Sequence, residues 1–268
     1  MHLPRARSSS RGVSRLPEMP PQPGALATVS VMTLRAAALV ALSLLSLASA
    51  AAAQHAPRAV RAVQPAVARS PVAAEIERIR ANVRSTRYVH ATRVDERAGR
   101  YDFDCSAMAS LVLSHAAPRA HAAVLRRNGR GRPVARDFHD VIAASPVDRP
   151  RDGWLRVTRM QDLRPGDVIA WRRPPTVASR NTGHVAFVQE APRRLDRDGR
   201  RWSVRVADAT SIPHGDDTRP RQHQSGFGYG TLTLFVETPG GDPTAYGWYG
   251  LNTRIDFRTH IALGRAVR

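Results

Sequence analysis

The chain has 268 residues and a formal charge of +19, from 41 basic and 22 acidic side chains. No lysine occurs, so every basic residue is arginine and the positive field persists at any physiological pH. With a single cysteine, Cys105, an intramolecular disulfide, a cysteine-rich zinc site and an iron–sulfur cluster are excluded, while 42% apolar residues suffice for a core.

Residues 1–31 are rich in Pro, Ser and Arg and carry no apolar pattern. Residues 32–53 run from Met32 through Arg35 into the apolar stretch Ala36–Ala48 and end in small residues with A-x-A spacing. That is the make-up of a secretory signal peptide, with translation expected to start at Met32 and 1–31 as an extension of the gene model. The stretch is short and alanine-rich for a membrane anchor, so none is expected. Removing 1–53 takes five arginines and one glutamate and leaves 215 residues at +15. The arginines are scattered, which with export argues against a nucleic-acid partner.

Residues 54–72 read as a linker and 73–268 as one domain. Ile76, Ile79 and Val83 share a helix face. A second helix starts at Asp104, with Met108, Leu111 and Val112 at helical spacing, and closes at Pro118. A third runs from about Val134 through Phe138, Val141 and Ile142. Beyond residue 150 strands take over, at 166–171, 183–190, 201–209, 231–237 and 249–257. Helices first and strands later predict an α+β fold with a largely antiparallel sheet.

Asp104 is a good N-cap, which makes Cys105 the first helical residue. Unpaired N–H groups and the helix dipole there favour an anion, and the same N–H groups can hold an oxyanion. Asp104 opposes a thiolate by like charge, so a proton-accepting partner is required. The alternative for Cys105 is a small buried hydrophobe. Among ten histidines, His184 stands out because it opens a strand after Asn181-Thr182-Gly183, on the face of Ala186 and Val188. A hairpin centred near Asp196 pairs Val188 with Val204, Ala186 with Val206 and His184 with Asp208, so that Asp208 would be able to orient the imidazole; the alternatives are a histidine bonded within the sheet edge and a strand-end or turn aspartate. Residues 208–219 then carry His214, Asp216, Asp217 and Arg219 in a loop that reads either as cleft lining or as solvated turn. No histidine or cysteine cluster suggests a metal, and no cofactor motif occurs.

The triplet Asp104-Cys105-Ser106 at a helix start, then Leu163-Arg164-Pro165-Gly166-Asp167-Val168-Ile169-Ala170-Trp171, then Gly183-His184-Val185-Ala186-Phe187-Val188 resembles the NlpC-type, papain-like cell-wall cysteine peptidases over roughly residues 75–250. The resemblance implies a nucleophile helix packed on an antiparallel sheet that carries the histidine. It implies metal-free hydrolysis of peptide bonds in peptidoglycan stem peptides, often between D-glutamate and the diamino acid. Cys105 would be nucleophile, His184 general base and Asp208 the third polar residue, with Tyr101 or Phe103, Asp104 and Ser106 near the substrate's free amine and His214 lining the cleft. Ala107 stands where the family has glycine, Asp208 where it more often has His, Asn or Gln. Cys105 and His184 are 79 residues apart, which predicts an insertion within 117–160. A muramoyl–peptide amidase on the same fold and a wall-binding protein with a decayed site are the alternatives.

Overall fold

Ser70 and Pro71 open the first helix, α1 (Pro71–Asn82): the Ser70 hydroxyl accepts the Ala73 N–H and the proline takes the first helical position. The computed structural model describes residues 70–129, 131–219, 225–250 and 253–268. The extension 1–31, the signal segment 32–53 and the linker up to residue 69 lie outside the described residues. The linker ends sooner than the sequence suggests, because Val72 is already buried in the core.

Three short strands follow, β1 (Ser85–Arg87), β2 (Arg93–Asp95) and β3 (Arg100–Asp102). They form a small sheet in the order β1-β3-β2, with β1 parallel to β3. Three residues are too few for alternation to show, which is why the sequence gives no sign of them. Next come α2 (Cys105–Ala116), α3 (Pro118–Asn128) and α4 (Ala135–Ala143). Pro118 closes α2 as expected, but it also begins α3 from the favoured first position. The Val134 N–H donates to the Asp137 carboxylate at 2.9 Å and so fixes the start of α4.

Nor is 117–160 an appendage to the fold. It supplies α3, α4 and β4 (Trp154–Val157). The fully buried Trp154 donates from Nε1 to the Ala120 carbonyl at 2.9 Å, tying β4 to α3.

The main sheet is built from β4, β5 (Val168–Arg172), β6 (Gly183–Val188), β8 (Arg201–Thr210), β9 (Gly226–Val236), β10 (Pro243–Gly250), β11 (Thr253–Arg258) and β12 (Ile261–Ala266), with the two-residue β7 (Arg193–Arg194) against β8. Its order is β11-β10-β9-β8-β6-β5-β12-β4, antiparallel at every pairing. The strand expected over 249–257 corresponds to the end of β10 and most of β11, which pair with each other antiparallel. The architecture is therefore α+β, four helices with a large antiparallel sheet.

Both faces of the sheet are covered. Val168, Ala170, Val185, Phe187, Ala207 and Ala209 point to the helices, where Met108, Val112, Phe138 and Ile142 meet them. Ile169, Trp171, Ala186, Val188, Val204 and Val206 point the other way, into a second core shared with Leu232, Leu234, Tyr246 and Trp248. The sheet curls so that β10 reaches β12 across this second core. By strand alternation His184 and Asp208 belong to the second, inner face, whereas α2 packs on the outer one. Helix start and strand ends meet at the rim.

The β6–β8 register differs from the expected one. Ala186 faces Asp208 and Val188 faces Val206, two residues out of step with the hairpin read from the loop midpoint. The physical reason lies in the loop, where β7 pairs with Ser203 and Trp202 and the turn is displaced towards residue 198. A slip of two keeps every side chain on its face, so His184 and Asp208 remain diagonal neighbours.

Candidate active site

Cys105 is a buried free cysteine at the first position of α2. Asp104 caps the helix by accepting the Ala107 N–H at 2.9 Å. Being first, the Cys105 N–H has no partner within the helix.

His184 donates from Nε2 to Asp208 Oδ2 at 2.8 Å. That leaves Nδ1 as the nitrogen for Cys105, with which the ring also interacts. The imidazole is held between Trp171, with ring centres 4.9 Å apart, and Trp248, at 5.2 Å. Burial alone would depress its basicity. The negative sulfur of Cys105 and the Asp208 carboxylate outweigh burial and raise His184 to about 10.

Asp208 is fully buried and saturated. Its Oδ2 also accepts from His214 Nε2 at 3.1 Å, and its Oδ1 accepts from Arg219 Nη2 at 2.5 Å. Burial works against the charge, but His214, Arg219 and His184 together hold the carboxyl well below its ordinary range. Arg219 is itself anchored, through Nε to the Gly226 carbonyl at 2.8 Å and through Nη1 to Asp217.

This arrangement corrects two expectations. His214 does not line the cleft: it is 1% exposed, stacked on Trp248 at 4.2 Å, and acts on Asp208 from below. Arg219, expected in a surface loop, is buried beside it. Both fit because β9 carries Gly228 and Gly230, where a Cβ would lie 2.5 Å from Arg219 Cγ and 2.1 Å from the His214 ring. The alternating glycines of Gly226-Phe227-Gly228-Tyr229-Gly230 are the one sequence sign of this packing. Asp216 stays exposed, bonded to Arg205 and Thr231.

At the mouth, Arg132 forks onto Asp104, with Nη1 to Oδ1 at 2.6 Å and Nη2 to Oδ2 at 2.7 Å. His90 adds a 3.1 Å bond, and the Ser106 hydroxyl donates to Oδ1 at 3.0 Å. Asp104 is thereby held ionised but charge-paired, and its repulsion of a negative sulfur next door is reduced. Neither Asp104 nor Ser106, both expected near the substrate's amine, has a free polar edge without displacing Arg132. Tyr101 is further from that role. It is wholly buried and its hydroxyl accepts from Asn82 at 2.9 Å, because alternation in β3 turns it inward; Phe103 is equally buried.

The tyrosine that does reach the site is Tyr88, just past β1. It lines the cleft beside His184, and burial together with the negative charges of Cys105 and Asp104 pushes its hydroxyl up, so that it stays protonated. Nothing in the local sequence distinguishes Tyr88 or Arg132; both are brought in by loops. The cleft has a volume of about 390 Å³, and Trp171, Tyr246, Trp248 and Phe257 form an apolar wall with Arg173 at its edge.

Asp167, in the Gly166-Asp167 pair that carries the resemblance, does structural work. It accepts the Arg164 N–H at 2.9 Å and a fork from Arg265. Among the described residues the cluster Glu75, Glu96 and His115 has metal-ligand spacing. Arg78 already bridges its two carboxylates at 2.7 Å each, and His115 lies ten residues along α2 from Cys105, about 15 Å away. No family model matches the chain, and no curated protein matches it.

Proposed function

We propose that the chain is an exported cysteine peptidase of the papain-like, NlpC type that cleaves peptide bonds in peptidoglycan stem peptides. The observation that carries the reading is His184, set between Cys105 at a helix start and a buried aspartate. It is the nucleophile–base–orienter set of acyl transfer, with each member fixed by a different element. Export rests on the signal-like segment 32–53.

In this reading Cys105 and His184 rest as a thiolate–imidazolium pair, the Cys105 proton already on His184 Nδ1, and the sulfur attacks the scissile carbonyl. The carbonyl oxygen becomes an oxyanion, held by the Cys105 N–H at the helix start and by the protonated Tyr88 hydroxyl. The imidazolium, stabilised by Asp208, gives its proton to the leaving amine as the C–N bond breaks. Water, deprotonated by His184, then attacks the thioester, and Cys105 leaves as the thiolate. Asp208 stays ionised throughout, because His214 and Arg219 hold it so. The steps need no metal.

The test is digestion of purified peptidoglycan by the wild-type chain and by Cys105→Ala, with products read by mass spectrometry. Cut stem peptides from the wild type and none from the variant are expected. Full digestion by Cys105→Ala would falsify the reading. Release of intact stem peptides, with the sugar–peptide amide as the only bond cut, would transfer the site to amidase chemistry.

A further inference from the structure

A second sizeable cavity lies apart from the cleft. About 700 Å³ in volume, it lies between the C-terminal end of α1, the small sheet and the start of β9. Five of the thirteen residues that line it are arginines, against one acid, Asp102. Arg219 is spent on Asp208 and Asp217. Of the other four, Arg84, Arg87 and Arg100 are poorly compensated, whereas Arg80 is paired with Glu77 at 2.8 Å. Arg87 makes one 3.3 Å contact with Asp102, Arg100 stands 3.8 Å from Asp95, and Arg84 has no ion pair among the described residues. Like charges gathered around a recess repel one another, and an anion entering it relieves that repulsion. Guanidinium groups suit carboxylates in particular, since two parallel N–H groups meet two oxygens.

We propose that this cavity binds a carboxylate-bearing chain. Its volume exceeds the needs of a single small ion. Its remaining walls are apolar or hydroxylic, with Val83, Phe227 and Tyr229 beside Thr86 and Thr218. They suit a chain with carbon between its charges better than a bare polyphosphate. The exposed large apolar side chains among the described residues, Leu125, Val147, Leu195 and Ile212, lie elsewhere. Position adds a second argument. Arg87 lines this cavity and the next residue, Tyr88, lines the cleft, so the two recesses share one wall. An extended chain advances about 3.3 Å per residue, and a few residues carry it over that wall. The cavity is thus placed to grip an acidic segment of a polymer whose neighbouring segment lies in the cleft. Its affinity does not depend on the chemistry at Cys105 and is measured without turnover.

The experiment is binding of a fluorescent glutamate octamer to the full chain at low salt, followed by anisotropy. The double variant Arg84→Gln with Arg100→Gln is expected to bind about tenfold more weakly. Arg119→Gln with Arg197→Gln removes the same charge from exposed positions away from the cavity and should change affinity by less than about twofold. Equal losses in the two pairs would reduce the binding to net charge and overturn the site. Should circular dichroism show the cavity variant unfolded, Arg84→Gln alone decides, and no loss of affinity there overturns the proposal. Stronger competition by short-chain polyphosphate than by unlabelled octamer, or retention on anionic vesicles through Arg84 and Arg100, would overturn the carboxylate assignment.

Discussion

Two aspartates flank the Cys105–His184 pair, and each is held by histidine and arginine. Asp208 has His184, His214 and Arg219; Asp104 has His90 and Arg132. The chemistry of the partners is alike, and the surroundings differ. The side chains of Asp208, His214 and Arg219 are all 0% exposed, whereas Arg132 is 34% and His90 66% exposed. In the first cluster the partners have no water to turn to, so geometry is fixed and losing one member strands a buried charge. In the second, Asp104 is also buried but its partners reach water, so a partner that leaves is itself solvated and the ion pairs are more adjustable. One cluster orients the base and the other sets the charge at the mouth of the cleft.

The largest effect expected from that difference is at Asp208. Asp208→Ala leaves Arg219 buried without its carboxylate and should destabilise the chain by about 3–5 kcal/mol, measured by urea unfolding. Asp208→Asn keeps the shape and tests orientation separately: activity on peptidoglycan should fall at least about a hundredfold while the fold persists. A stable Asp208→Ala chain would mean that burial does not divide the two clusters. Gly230→Ala reaches the same cluster from behind. Its Cβ would lie 2.1 Å from the His214 ring, and the displaced imidazole should cost about 1–3 kcal/mol together with loss of activity.

The pH dependence of stability separates the clusters without mutation. His184 is raised to about 10 in the folded chain from an ordinary 6.5. Its contribution is therefore complete below about 6.5 and lost as pH rises through about 10. Asp208, depressed from 3.8, contributes fully above that value and fails only in strong acid. Urea midpoints should thus decline on the alkaline side in the wild type and much less in Cys105→Ser, where the negative sulfur that supports the imidazolium is gone. An equal decline in both would remove Cys105 as a cause.

What the sequence makes legible follows the range of the interaction that each residue enters. Asp104 and Cys105 are local: a capping carboxylate three residues before its N–H partner is visible in four letters. His184 and Asp208 are visible through strand alternation, which survives the two-residue error in register because the side-chain period is two. Arg219 and His214 depend on a loop folding back over β9, and only the spacing of Gly226, Gly228 and Gly230 hints at it. Tyr88 and Arg132 arrive on loops with no pattern of their own. Tyr101 looked like the substrate's tyrosine by proximity to Cys105, but a three-residue strand decides its direction and turns it into the core.

Arg132 provides the smallest and most specific test. Its guanidinium covers both oxygens of Asp104, the carboxylate that the resemblance assigns to a substrate amine. If Asp104 has that role, Arg132 competes with the amine, and the competition is a partly exposed ion pair worth about 1 kcal/mol or less. Arg132→Gln removes the competitor and leaves His90, Ser106 and the Ala107 N–H on Asp104, so the fold is kept. It also leaves Asp104 less neutralised beside Cys105, which lowers turnover for any substrate alike. The ratio of kcat/KM for a peptide with a free N-terminal amine to that for its acetylated form cancels this shared loss. That ratio should rise up to about fivefold in Arg132→Gln, the factor that 1 kcal/mol allows. An unchanged ratio would show that Asp104 does not meet the amine, and that the mouth cluster serves only to neutralise the charge next to the nucleophile.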